Sequence, residues 1–95
     1  MNPPSPENAL SLEVDHDGDR VEARLIAHSK VAQRVSYDLV MSGQSTSRHH
    51  AETSLAPDRR AVVSTMRMTV GDRWCVRVAV EEGDGRQYEL REGEC

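Results

Sequence analysis

The sequence contains no phenylalanine, one tryptophan and two tyrosines, and hydrophobic residues make up only 37% of its 95 residues. A chain of this length supplies one domain, and with so few large apolar side chains its core must be thin. A large enzyme with a deep apolar active site is therefore excluded. No apolar run approaches the ~20 residues that a transmembrane helix needs, so we expect no membrane insertion.

Cysteine is also scarce, because Cys75 and Cys95 are the only two. They allow one disulfide or none, and no Cys-x-x-Cys motif indicates a zinc or redox site. His49 and His50 are adjacent on a predicted strand, so their side chains point to opposite faces and do not suggest a shared metal ion. Neither a Gly-x-Ser-x-Gly elbow nor a glycine-rich phosphate loop is present. We therefore predict that the protein is not an enzyme and has no metal or cofactor.

Positive charge is in deficit overall, with a formal net charge of −4. A general nucleic-acid-binding protein has a strongly basic surface, so we expect no nucleic-acid partner. The distribution is uneven, since residues 30–80 are rich in arginine whereas both ends of the chain are acidic. Such a polarised surface can attract a partner of opposite charge, although charges on strand faces more often serve solubility.

Alternation of apolar and polar residues is the dominant pattern after a proline-rich start. It predicts strands over residues 10–14, 21–25, 35–41, 62–70, 74–80 and 87–91, with a weak, polar edge strand at 47–55. About seven short antiparallel strands at this spacing predict an all-β fold, an immunoglobulin-like β-sandwich. We place a disordered proline-rich tail at residues 1–9, the sandwich domain at 10–92 and a C-terminal tail at 93–95.

The same alternation predicts which side chains face solvent. If Val35 faces the core, its neighbour Arg34 faces solvent. Trp74 is expected to be a buried core residue, and if it faces the core, Arg73 and Arg77 on the same strand face solvent. The two strands involved are neighbours in one sheet of the immunoglobulin topology. These arginines, with Arg91 as a further candidate, are therefore expected to line one sheet face.

The directions of the side chains on the opposite sheet are predicted in the same way. Arg24 and Arg67 face solvent there beside Glu22. The apolar residues expected to point from this sheet into the core include Val62, Met66 and Met68.

Four short motifs follow one another between residues 10 and 91, namely Arg34-Val35, the turn 42–45, Leu55-Ala56-Pro57, and Asp72-Arg73 before a valine-rich strand. Their order and spacing resemble those of the CsgC/CsgH type of curli-biogenesis proteins, small periplasmic proteins that restrain amyloid assembly of the curli subunit. Where the enteric branch of this family has Cys-x-Cys before Arg-Val, this chain has Val31 and Gln33. It looks like the branch that lacks this pair, and a thiol–disulfide role there is not implied.

The resemblance implies a periplasmic protein, with this chain as the mature form after removal of a signal peptide, and the unfolded curli major subunit as its partner. It also implies a chaperone-like inhibitor of amyloid formation, which we expect to act as a monomer through transient electrostatic contacts. The expected client-binding residues are Arg34, Arg73, Arg77 and Arg67. Strand addition at a sheet edge is an alternative mechanism. A structural or adhesion-type sandwich domain without anti-amyloid activity is the alternative function, and a redox enzyme ranks third.

A disulfide between Cys75 and Cys95 follows from the expected strand register. Pairing Glu81 with Arg86 places position 75 opposite position 92, and Gly93 allows the tail to bend back to the Cα separation that a disulfide needs. A periplasmic address favours oxidation. An outward-facing Cys75 and the terminal position of Cys95 weigh against the bridge. We expect the disulfide to form and to have a structural role.

Overall fold

The computed structural model describes residues 8–95, so most of the predicted proline-rich tail lies outside the described residues. Seven strands follow one another along the described chain: β1 (Leu10–Asp17), β2 (Arg20–Ala27), β3 (Gln33–Ser42), β4 (Thr46–Leu55), β5 (Ala61–Thr69), β6 (Cys75–Glu81) and β7 (Gln87–Gly93). They form a three-stranded sheet in the order β1-β2-β5 and a four-stranded sheet in the order β4-β3-β6-β7. All strand pairs are antiparallel. The predicted all-β fold class is confirmed.

The core lies between the two sheets and is built from the inward-facing members of the alternating strands. In β6, Val76, Val78 and Val80 are buried, whereas Arg77 and Ala79 between them are exposed. β3 alternates in the same way and buries its apolar residues from Val35 to Met41. Because successive side chains of a strand point to opposite faces, this alternation fixes which arginines reach solvent.

The strand β4 is fully paired although its side chains are mostly polar and predict only a weak edge strand. It pairs with β3 at all ten positions from Thr46 to Leu55. Backbone hydrogen bonds to β3 compensate for the missing apolar face. Only Leu55, at its end, is buried.

A β-bulge in the pairing of β2 with β5 makes the predicted inward direction of Val62 wrong. The pairing shifts between Leu25 and Ile26, so that Leu25 lies opposite Ser64 and Ile26 lies opposite Val62. A bulge inserts one extra residue and thereby reverses the faces of the side chains beyond it. Val62 is consequently 51% exposed, and Val63 packs against the core in its place.

Trp74 is another residue whose environment differs from the prediction. It precedes β6 and is only partly buried, because it packs at the end of the core. Its indole lies edge-on to the ring of His16, with 5.5 Å between the ring centroids. Trp74 therefore closes one end of the sandwich instead of filling its centre.

The beginning of the domain is held by a buried carboxylate. The backbone N–H of Ala9 donates to Glu82 at 2.7 Å, and the hydroxyl of Tyr88 donates to the same oxygen at 2.6 Å. The N–H of Leu10 donates to the Tyr88 hydroxyl at 3.1 Å. Burial, aided by the hydrogen bond to Glu82, raises the pKa of Tyr88 and keeps its proton available for donation. Ala9, expected in the disordered tail, is therefore buried and belongs to the domain.

The end of the chain is held by a disulfide between Cys75 and Cys95, whose Cα atoms are 5.0 Å apart. The register differs from the expected one by a residue, since Glu81 pairs with Gln87 and Cys75 pairs with Gly93. Gly93, expected in the tail, ends β7 with a φ of 91°. A Cβ on Gly93 would lie 2.4 Å from the Trp74 carbonyl oxygen, so only glycine allows this close approach.

Replacing Glu82 with alanine should lower the free energy of unfolding by about 1–3 kcal/mol, because the buried donors of Ala9 and Tyr88 lose their acceptor. Urea denaturation measures the change. The matched control is Glu81→Ala at the exposed neighbouring position, where we expect a change within about ±0.5 kcal/mol. Equal losses in the two variants would contradict the assigned role of Glu82.

Reducing the Cys75–Cys95 disulfide should lower the free energy of unfolding by roughly 3 kcal/mol, because the open chain regains the entropy of a loop of about 20 residues. Urea denaturation with and without reductant measures the loss. A variant with both cysteines replaced by serine is the control, and its stability should not respond to reductant. Two alkylatable thiols in non-reduced protein from an oxidising compartment would show that the bridge is absent.

Candidate functional site

The outer face of the four-stranded sheet carries a row of arginines. The strand register aligns Arg48 of β4, Val40 of β3, Arg77 of β6 and Arg91 of β7 across the sheet. We call Arg48, Arg77 and Arg91 the arginine row. With neighbouring strands about 4.8 Å apart, it places three guanidinium groups within a width of about 15 Å.

Acidic side chains occupy the next positions along the same face. One neighbouring row consists of His50, Asp38, Ala79 and Glu89, and the row beyond it consists of Glu52, Ser36, Glu81 and Gln87. We call the row from Glu52 to Gln87 the acidic row. Between the arginine row and the acidic row, the face therefore changes along the strands from basic to acidic, and Arg34 lies one row beyond the acidic row.

Most of the charges on this face are compensated by neighbours. Arg48 donates to both carboxylate oxygens of Asp38, with its Nε 3.0 Å from Oδ1. These hydrogen bonds lower the pKa of Asp38 and raise the pKa of Arg48. Arg91 pairs with Glu89.

Arg77 is the exception on this face. It is exposed in the middle of β6, and its side chain forms no hydrogen bond or ion pair with any residue from 8 to 95. An exposed guanidinium without an internal carboxylate keeps its full capacity for forked contacts with an external one. Arg77 is therefore the strongest candidate on the sheet for contact with an acidic partner.

The structure spreads the other predicted binding residues along the molecule. Arg34 lies on β3 six residues from Val40, about 20 Å along the strand, and pairs with Glu52 at 3.1 Å. Arg73 precedes Arg77 by four residues, about 13 Å in an extended chain, and lies 3.6 Å from Glu94. Arg34, Arg73 and Arg77 consequently do not form one compact cluster, and Arg77 lies between the other two.

Arg67 lies on β5, in the three-stranded sheet, where it faces Glu22 of β2. Glu22 also pairs with Arg24, which lies 2.6 Å from Asp15. The hydrogen bonds from Arg67 and Arg24 lower the pKa of Glu22. The charge of Arg67 is therefore compensated, and this residue is separated from Arg77 by the whole sandwich.

Arg48 is not among the predicted binding residues, because the polar run 47–55 has no apolar alternation that assigns its faces. The signal that identifies it is the turn after β3. Counting backwards from the turn residues 43–45 pairs Ser42 with Thr46 and hence Val40 with Arg48. A register anchored at the turn therefore finds this residue, whereas hydrophobicity does not.

A cleft at one end of the sandwich contains the two positions compared with the Cys-x-Cys pair. Val31 is 60% exposed there, whereas Gln33 donates to the Ser29 hydroxyl at 2.8 Å and accepts from the Gly83 N–H at 3.0 Å. Among the described residues, no group of three or more His, Cys, Asp or Glu side chains is placed to hold a metal ion. Residues 8–95 also form no helix long and apolar enough to cross a membrane.

Two solved structures are similar to this one over most of its length. One is the E. coli curli protein CsgC in a selenocysteine form, with a TM-score of 0.62 and 16% identity over 88% of this chain and 94% of that chain. The other is the solution structure of R. palustris CsgH, with a TM-score of 0.61 and 16% identity over 88% of this chain and 89% of that chain. The fold is CsgC/CsgH-like. No protein-family model and no curated protein sequence matches the chain.

Within this CsgC/CsgH-like sheet, replacing Arg48 with glutamine should raise the pKa of Asp38, because the main cause of its lowering is removed. A carboxyl with a lowered pKa stabilises the folded state at neutral pH and loses that contribution as the pH falls through its folded-state pKa. The difference in unfolding free energy between wild type and Arg48→Gln should therefore disappear in strongly acidic solution. NMR titration of the Asp38 carboxyl and urea denaturation over pH measure the two effects.

The control for this titration is Arg77→Gln, which removes a guanidinium that has no partner in the described part of the chain. We expect it to leave the pKa of Asp38 close to that in the wild-type protein. An unchanged Asp38 pKa in the Arg48→Gln variant would contradict the assigned pairing.

Proposed function

We propose that this protein is a periplasmic, chaperone-like inhibitor of curli subunit amyloid formation, which contacts the unfolded major subunit transiently. The observation that carries the proposal is the exposed Arg77, which has no ion-pair partner among residues 8–95, within the arginine row of a CsgC/CsgH-like sheet. One of the two similar structures is that of a curli protein, which supports a curli-associated role for this fold.

The arginine row supports capture of an extended acidic segment. Its guanidinium groups lie on a solvated sheet face, so each contact with a carboxylate is individually weak and quickly released. Arg77 supplies the first contact with a carboxylate, and Arg48 and Arg91, which already bind Asp38 and Glu89, contribute by sharing or exchanging those partners. Together these charges attract and orient an acidic chain, and they act over about 10 Å at 0.1 M salt. Formation of a cross-β nucleus requires extended segments to pair in register, and a segment held on this face is withdrawn from that pairing.

The proposed contact residues are centred on Arg77. Arg34 and Arg73 lie towards opposite ends of the molecule and extend the surface for a long client chain. Arg67, whose charge Glu22 compensates, contributes a secondary contact on the opposite sheet. The proposal also assigns the chain to the branch that lacks the Cys-x-Cys pair, because Val31 and Gln33 occupy the two positions compared with that pair.

Replacing Arg77 with glutamate should abolish most of the delay that the wild-type protein imposes on curli subunit fibrillation. The measurement is the thioflavin T lag time with the protein well below equimolar, with circular dichroism to verify the β-fold. The delay by wild-type protein should also shrink between 0.1 M and 1 M salt, because the Debye length falls from about 10 Å to about 3 Å.

The control is Arg59→Glu, which makes the same charge change at an exposed position outside the strands. We expect this variant to delay fibrillation as the wild-type protein does. A folded Arg77→Glu variant with full inhibition would exclude the arginine row as the contact surface. Absence of any delay by wild-type protein would favour the structural or adhesion-type alternative.

A further inference from the structure

The strand β4 has one free hydrogen-bonding edge. Among residues 8–95 it is the outermost strand of its sheet and pairs only with β3. The N–H of Gly43 donates to the carbonyl of Ser45 at 2.9 Å, which makes Ser42 and Thr46 a non-hydrogen-bonded pair. The even-numbered residues of β4 therefore direct their N–H and C=O groups away from β3. All five of them, from Thr46 to Ser54, are exposed.

Two of these even positions carry opposite charges, and they lie on either side of His50. Arg48 and Glu52 flank His50 at equal distances along the strand. If a second copy of β4 pairs antiparallel with the first about His50, Arg48, which also binds Asp38 of its own sheet, lies opposite Glu52 of the second copy, which also binds its own Arg34. The reciprocal pair forms as well, so the existing ion pairs join across the edge. Opposite charges directly across an antiparallel pair stabilise it, and this arrangement supplies two such pairs.

The charge division of the whole sheet face fits the same register. The pairing extends the row that contains Arg48 and Arg77 into the row of the second copy that contains Glu52 and Glu81. The two His50 side chains meet at the two-fold axis, each with Asp38 of its own sheet beside it. The basic part of each sheet thus meets the acidic part of the other.

Neighbouring registers lack this complementarity. A shift by two residues in one direction places Arg48 opposite His50, and a shift in the other direction places it opposite Ser54. Charged side chains on an edge strand commonly prevent edge-to-edge association. The charges on β4 are instead self-complementary about His50, which favours a second copy of this chain over an acidic peptide as the occupant of this edge.

We propose that the protein forms a two-fold symmetric dimer through antiparallel pairing of β4 with β4, centred on His50. The dimer joins two four-stranded sheets into one continuous sheet of eight strands. This replaces the monomer expected from the sequence. The backbone hydrogen bonds of the edge provide the association, and the reciprocal Arg48–Glu52 pairs select its register.

Charge complementation tests the dimer directly by sedimentation equilibrium. Wild-type protein should approach twice the chain mass of 10.6 kDa as its concentration rises. Arg48→Glu alone and Glu52→Arg alone should each remain monomeric, because each faces like charges in the homodimer. An equimolar mixture of these two variants should recover the dimer, since every facing pair is then of opposite charge. Arg59→Glu is the matched control and should dimerise like the wild type.

Hydrogen exchange provides a second readout that does not depend on charge. The amides of Arg48, His50 and Glu52 should gain at least tenfold protection at concentrations where the dimer forms, whereas exposed amides outside β4 should not. His50→Pro removes one outward-pointing N–H without removing a bond to β3, and should abolish dimerisation.

Two results would overturn the proposal. One is a wild-type protein that stays at the monomer mass up to its highest soluble concentration. The other is a mixture of Arg48→Glu and Glu52→Arg that stays monomeric although the wild type dimerises. Neither depends on fibrillation, so the dimer and the proposed inhibitory function fail independently.

Discussion

Backbone pairing of β3 along both of its edges is the interaction on which the functional surface depends. The strand accepts β4 on one side and β6 on the other, and its register sets the position of every charged side chain on the four-stranded sheet. A shift of one residue would turn Val35 and Tyr37 outward and bury the polar side chains between them. The apolar side of β3 therefore protects the register, and the register in turn aligns Arg48 with Arg77.

The surface charges fall into two classes with different consequences. Glu22 on one sheet and Asp38 on the other are held by arginines, and both carboxyls have lowered pKa values. The charges of these networks are largely satisfied within the molecule. Arg77 carries a charge that the described chain leaves uncompensated, so an external carboxylate can bind it without breaking an internal pair. Compensation, more than the number of arginines, therefore distinguishes Arg77 from the other arginines of the sheet face.

A thin core makes the two chain ends important for stability. At one end the Glu82 carboxylate, which is almost fully buried, accepts from Ala9 and Tyr88 and closes the sandwich over Leu10. At the other end the disulfide of Cys95 holds the chain after β7 against the start of β6. A buried carboxylate with its hydrogen bonds and a disulfide thus hold the two chain ends, where few large apolar side chains are available. Neither of these two ties involves the outer sheet faces or the outer edge of β4, where the proposed contacts lie.

The sequence by itself determined the all-β class and the succession of strands along the chain, because strict alternation in segments such as 76–80 is compatible only with strands that bury one face. It also determined the outward direction of Arg77 and placed Cys75 near Cys95. It did not determine the faces of β4, whose polar side chains carry no periodic signal, nor the bulge that exposes Val62. Only the tertiary structure decided which arginines are neighbours, because side chains from β4, β6 and β7 meet through strand register. Only it showed that Arg34, Arg67 and Arg73 have acidic partners whereas Arg77 has none among the described residues, since ion pairing depends on distances across strands that local sequence does not encode.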